Sequence, residues 1–188
     1  MKLEIERTPL RDLVIVTPQC FRDQRGFFVE VYRRDVFREA GLPDSFVQLN
    51  HSRSAKHVLR GLHFQWDPPM GKLMRVTQGT AFLVAVDVRT GSPTLGRWHG
   101  VELSAESKRQ VWAPAGFGRG FLALSDAVEV EYLCTATYNA AGESGVLWSD
   151  PAIGIEWPEA SPILSDKDRD AGTLSAWLKR PESAKLHW

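Results

Sequence analysis

Val58-Leu59-Arg60-Gly61-Leu62-His63-Phe64-Gln65 is an aliphatic and aromatic run with one histidine at a strand position. Strand side chains alternate between the two faces of a sheet. His63 therefore shares a face with Gly61 and Gln65, while Leu62 and Phe64 occupy the other. Six further runs of β-type residues, at 13–16, 27–32, 72–76, 81–88, 111–112 and 128–138, follow the same reading. Turn signals such as Thr90-Gly91-Ser92-Pro93 and Pro114-Ala115-Gly116 separate them. Spacing of this kind predicts an all-β antiparallel sandwich or barrel and not alternating βα units. Two short helices are expected at the periphery. One runs from Arg34 to Ala40 and ends at Gly41, before Pro43. The other is capped by Ser165, with Asp168 at the capping-box position.

At 188 residues the chain reads as one domain over 1–188, with 165–180 a C-terminal helical addition. Its 23 basic and 23 acidic residues balance, so nothing draws it toward nucleic acid or a membrane surface. No apolar run reaches the roughly 20 residues that span a bilayer, and the opening Met1-Lys2-Leu3-Glu4-Ile5-Glu6-Arg7 has no signal-peptide character. Cys20 and Cys134 lack paired spacing, so a reducing cytoplasm is the expected location.

The setting of His63 points to chemistry. Arg60 precedes it by three residues and Lys72 follows by nine. One imidazole between cations suits proton transfer on an anionic substrate. No second histidine stands at His-x-His spacing, so a metal site is not expected. The alternative is a core histidine satisfied by a neighbour.

Eight segments in order carry a resemblance: 21–30, Gln48-Leu49-Asn50, Arg60 to Gln65, Gly71-Lys72-Leu73, Val86-Asp87-Val88-Arg89, Pro114 to Phe121, Tyr132 to Tyr138, and Leu147-Trp148-Ser149-Asp150-Pro151. Together they closely resemble the dTDP-4-dehydrorhamnose 3,5-epimerase family, cupin-like jelly-roll enzymes of rhamnose biosynthesis, from about residue 5 to about 170. The resemblance implies a homodimer, in which an N-terminal segment crosses to the partner's sheet, and a reaction without cofactor. The substrate would be a nucleotide-linked 4-keto-6-deoxy sugar. A proton next to its carbonyl leaves from one face and one returns to the other, through an enolate.

By this resemblance His63 is the base, Asp168 the carboxylate that orients it, and Tyr132 the proton donor, helped by nearby cations. Helix capping is the competing role for Asp168, and packing for Tyr132. Lys72 and Arg60 would surround the carbonyl and phosphates. Arg25 and Glu30 match the nucleotide site, Gln48 and Asn50 its polar contacts, and Tyr138 an aromatic that stacks on thymine. Glu143 and Lys167 match further substrate contacts.

Three positions depart from the family pattern. Arg119 stands where a ligand-facing histidine is usual, Leu133 where lysine usually follows the tyrosine, and Met70 where glutamine often precedes Gly-Lys. Between Gly118 and Gly120, Arg119 is expected to be a diphosphate ligand; the alternative is a solvated turn arginine. Rival readings are an epimerase of one carbon only or of another nucleotide sugar, a 3,4-ketoisomerase on the same fold, and a catalytically silent sugar-nucleotide-binding module.

Overall fold

The computed structural model describes residues 2–188. Its strands are β1 (Leu3–Arg7), β2 (Val14–Pro18), β3 (Cys20–Asp23), β4 (Gly26–Val29), β5 (Gln48–Ala55), β6 (Leu59–Gln65) and β7 (Lys72–Gln78). They continue as β8 (Thr80–Asp87), β9 (Trp98–Ser104), β10 (Gln110–Ala113), β11 (Phe117–Ala123), β12 (Ala127–Cys134) and β13 (Glu143–Gly145). A six-stranded sheet in the order β1-β2-β10-β7-β12-β5 faces a five-stranded sheet in the order β13-β6-β11-β8-β9. β3 and β4 form a separate hairpin. Pairing within the sheets is antiparallel, as in β12 with β5 and β11 with β8. The fold is an antiparallel sandwich.

Period-two alternation builds its layers. From β8, Leu83 and Ala85 enter the core between the sheets, where they meet Met74, Val76 and Val130 of the facing sheet. Their neighbours Val84 and Val86 point outward with Leu62 and Phe64. That outer face is covered by the C-terminal segment, with Trp177 edge-on to Phe64 at 4.7 Å. Burial on both faces explains why β8 reads as a continuous apolar run. On the outer face of the other sheet, Phe37 of helix α1 (Arg34–Glu39) packs on Val16, Leu73 and Trp112. Helix α1 ends as expected, with Gly41 at φ 72°.

Six strands carry no strong apolar signal: β1, β3, β5, β9, β11 and β13. Two of the expected runs are shorter in the structure, since β4 stops at Val29 and β12 at Cys134. β5 is an edge strand whose covered residues, Gln48, Asn50, Ser52 and Ser54, are polar, while Leu49 is exposed. β11, Phe117-Gly118-Arg119-Gly120-Phe121-Leu122-Ala123, is buried throughout despite two glycines and an arginine. Its glycines serve close approach. A Cβ on Gly61 of β6 would stand 2.5 Å from the Gly120 Cα, and Gly61 has φ 135°. Gly61→Ala is expected to cost about 3 kcal/mol through overpacking and backbone strain. That is a fall of roughly 6–12 °C in Tm for a chain of this size. Calorimetric unfolding within about 2 °C of the unaltered protein would show that the two strands can part freely.

Two of the motif segments are scaffold. Asp87 is fully buried and accepts hydrogen bonds from Arg89, Ser92 and Thr94, which closes the turn after β8. Asp150 accepts from the Leu174 N–H at 2.7 Å and so holds the start of helix α3 (Leu174–Leu178). Helix α2 (Asp166–Arg169) lies against β6, where the preceding segment is tied by Leu59 N–H to Ile163 O at 3.0 Å. Among the described residues no helix is long and apolar enough to cross a membrane.

Candidate active site

A cavity of about 430 Å³ opens between the two sheets. Its wall contains His63 and Arg119 from the five-stranded sheet, Lys72 and Tyr132 from the six-stranded sheet, Asp168 from α2, and Arg60. The pleat fixes these directions. Lys72 and Met74 of β7 lie on the same face as their cross-strand partners Cys134 and Tyr132 of β12. His63 is paired directly with Arg119, so both project to one side of β6 and β11. His63 and Tyr132 thus reach the cavity from facing sheets.

The imidazole is held. His63 Nε2 meets Asp168 Oδ1 at 2.5 Å. The second carboxyl oxygen of Asp168, Oδ2, accepts from the Ser165 hydroxyl at 2.9 Å, and Ser165 Oγ accepts the Asp168 N–H at 3.2 Å. The cap of this helix is Ser165, and Asp168 meets the histidine through one oxygen while the other is tied to the capping hydroxyl. Burial pushes this carboxyl up, but the hydrogen bond and charge of His63, with Ser165 and the backbone, outweigh it and hold it below the usual range. Asp168 is therefore ionised beside the ring at neutral pH.

Lys72 sits with its Nζ 5.0 Å from the centre of the Tyr132 ring. Burial above all, then the nearby Arg119 charge, lowers its pKa to about 8. Tyr132 is pushed upward by burial, with Cys134 and Glu143 adding to the rise and Arg60 opposing it. The expected help from cations is thus outweighed, because excluding water disfavours the phenolate more than Arg60 favours it. Tyr132 holds its proton as a neutral phenol.

Arg119 is a strand residue and not a turn residue. It is 4% exposed, in the middle of β11, which removes the solvated-turn reading. Burial lowers its pKa to about 10, so the guanidinium is still charged at neutral pH.

A second cavity adjoins the first through His63 and is lined by Glu143 and Lys167. Lys167 Nζ meets Glu143 Oε2 at 2.5 Å, and the Tyr138 hydroxyl donates to the same oxygen at 3.1 Å. Tyr138 itself is 58% exposed. Gln48 and Asn50 share a face of β5, with Gln48 Nε2 donating to Asn50 Oδ1 at 2.9 Å, and Gln48 Oε1 accepts the Tyr138 N–H at 2.8 Å. Arg25 and Glu30 are not brought to the main cavity of this chain. Arg25 lies in the β3–β4 turn, paired with Asp23 at 2.6 Å, beside Phe21, Phe27 and Phe28. Glu30 follows β4 and meets Arg33 at 3.4 Å.

Sequence reading passed over the apolar walls, Met74, Phe121, Val130, Ile163 and Leu164. Met74, Phe121 and Val130 stand two residues from Lys72, Arg119 and Tyr132, so the period-two rule applied outward from each polar candidate would have found them.

A model of the family described as dTDP-4-dehydrorhamnose 3,5-epimerase matches residues 7–176. A Shigella flexneri protein of that name is 51% identical over 168 residues, covering 88% of this chain and 93% of the relative. A Neisseria gonorrhoeae protein of the same name is 49% identical over 183 residues, and this chain spans 55% of that relative's length. Among solved structures, a dTDP-6-deoxy-D-glucose-3,5-epimerase from Legionella pneumophila in complex with dTDP-4-keto-L-rhamnose superposes with a TM-score of 0.92. It is 43% identical, with 97% of each chain covered. With a matching model over most of its length and about half its residues shared with relatives of that name, the chain belongs to the dTDP-4-dehydrorhamnose 3,5-epimerase family of isomerases.

Proposed function

We propose that this chain inverts C3 and C5 of a dTDP-linked 4-keto-6-deoxy sugar by proton removal and return. The observation that carries the reading is the placement of His63, held by Asp168, and Tyr132 on facing sheets across one cavity. With Nε2–H donated to Asp168, Nδ1 of His63 keeps its lone pair and is the base. It takes the proton from a carbon next to the carbonyl. The C–H electron pair becomes the C=C bond and the carbonyl π pair moves to oxygen, giving the enolate. Tyr132 then delivers its proton to the opposite face, and exchange with water resets both groups. Lys72 stabilises the oxyanion. Arg60, at the exposed edge, suits the diphosphate. Gln48, Asn50 and Tyr138 are the thymine side of the site, with Glu143 and Lys167 beside the sugar.

The test is NMR of dTDP-4-keto-6-deoxyglucose with the protein in deuterated water. Deuterium entering at both C3 and C5 with inversion is expected. Label at one carbon alone would make this a mono-epimerase, and dTDP binding without any label a silent binding module.

Lys72 gives a pH dependence. Its pKa of about 8 means the ammonium is present below that pH and lost above it. The free-enzyme profile of kcat/KM is therefore expected to fall above about pH 8. Lys72→Arg, which stays charged, should remove this alkaline limb, and its survival would assign the limb to another group.

A homodimer is part of the same reading. In the single chain β1 pairs with its own β2 at a sheet edge, and the hairpin nearby exposes Phe21 and Phe27 at 55% and Phe28 at 67%. An apolar group of this kind calls for a partner surface. Light scattering at twice the chain mass is expected, and a lower mass for Phe28→Glu; a monomeric unaltered protein would remove the dimer.

A further inference from the structure

The cavity wall carries two positive charges, those of Lys72 and Arg119. Among the described residues no ion pair involves Lys72 or Arg119. The nearest carboxylates are committed elsewhere, Asp168 to His63 and Ser165, Glu143 to Lys167 and Tyr138. Cys134, which faces both cations, is driven upward by burial despite them and is a neutral thiol. Arg119 spends one N–H on the Met70 carbonyl, at 3.0 Å. Its Nε and Nη2 are buried and have no partner among the described residues. Leaving such donors unsatisfied destabilises a fold, so a feature of this cost points to a ligand.

We propose that Arg119 is an oxyanion-stabilising residue, its guanidinium charge held beside the C4 oxygen as the ketone becomes an enolate. This rests on the epimerase reading and adds Arg119 to the groups that act on the sugar. Three observations favour the sugar oxygen over the diphosphate. Arg119 is the cross-strand partner of His63, and side chains so paired start about 5 Å apart. The carbonyl carbon is bonded to the carbon that His63 deprotonates, so its oxygen falls within reach of the same pair. Arg119 is also fully enclosed, whereas Arg60 offers a guanidinium at the exposed edge for phosphate. Finally, the ketone is neutral and the enolate is not. A pair of cations therefore binds the charged intermediate more strongly than the ground state, which is the condition for accelerating the reaction.

The experiment compares unaltered protein, Arg119→Gln and Arg119→Lys by dTDP calorimetry and by single-turnover deuterium exchange at C3 and C5. Arg119→Gln should lose about 10²–10³ in exchange rate, as when an oxyanion donor is removed, with dTDP affinity within about twofold. Arg119→Lys keeps a charge but not the fork, and should lose about tenfold. If the glutamine variant does not fold, the lysine variant carries the comparison. A dTDP affinity weakened about tenfold or more, with exchange of the bound sugar unchanged, would assign Arg119 to the diphosphate and overturn the proposal. Normal exchange and normal affinity would overturn it too. Failure of the unaltered protein to exchange any sugar proton would instead remove the epimerase reading itself.

Discussion

A His63→Asn variant is expected to lose about 10²–10⁴ in the rate of proton exchange at both C3 and C5, the usual cost of removing a general base. The same variant should bind dTDP as the unaltered protein does, because the base lies between the sheets and the nucleotide contacts do not depend on it. Asparagine is the informative replacement. Its shorter side chain ends where Nδ1 stood, so the proton-abstracting nitrogen is gone, while Asp168 keeps the Ser165 hydroxyl on its other oxygen. Asp168→Asn probes the same pair from the other side. An amide there can donate to Nε2, which forces the proton onto Nδ1 and leaves the ring in the wrong tautomer. Loss of exchange in both variants, with calorimetry showing intact dTDP binding, is the expected pattern. Near-native turnover by His63→Asn would take His63 out of the mechanism.

The residues that lie inside strong periodic runs were legible in the sequence. His63, Lys72 and Tyr132 fall in apolar alternating segments, and alternation alone puts His63 opposite to Leu62 and Phe64, as the structure has it. Arg119 was harder to place. Phe117-Gly118-Arg119-Gly120-Phe121 carries a charge between two glycines, a pattern that reads as a turn in isolation. It is a central strand because Gly120 and Gly61 let β11 and β6 approach more closely than any side chain would allow. Propensity is a local quantity, and here a contact between distant segments overrides it. β5 was hidden for the opposite reason, since an edge strand lined by Gln48, Asn50 and Ser52 has no apolar face to reveal it. The position of Arg25 and Glu30 could not follow from spacing at all. Their hairpin belongs to neither sheet, and only the folded structure shows that it stands apart from the cavity.

Tyr132→Phe is expected to separate proton removal from proton return. Phenylalanine keeps the ring that packs beneath Lys72 and lacks only the hydroxyl. His63 and Asp168, on the other sheet, are untouched, so the enolate still forms. With no acid on the far face, the proton on His63 exchanges with water and returns to the face it left. Deuterium then enters the sugar without inversion. Net epimerisation should fall by about 10²–10⁴, while exchange outlasts it, particularly at C5. The upward shift of the Tyr132 pKa fits this division of labour. A phenol that burial keeps protonated is loaded before the enolate appears, and it gives up its proton only when a strongly basic carbon is in place. The NMR reading is the ratio of labelled starting sugar to labelled inverted product. An unchanged ratio and rate in Tyr132→Phe would make Tyr132 a packing residue, and the acid would have to be sought among the other groups that line the six-stranded side of the cavity, with Lys72 first because its pKa already lies near 8.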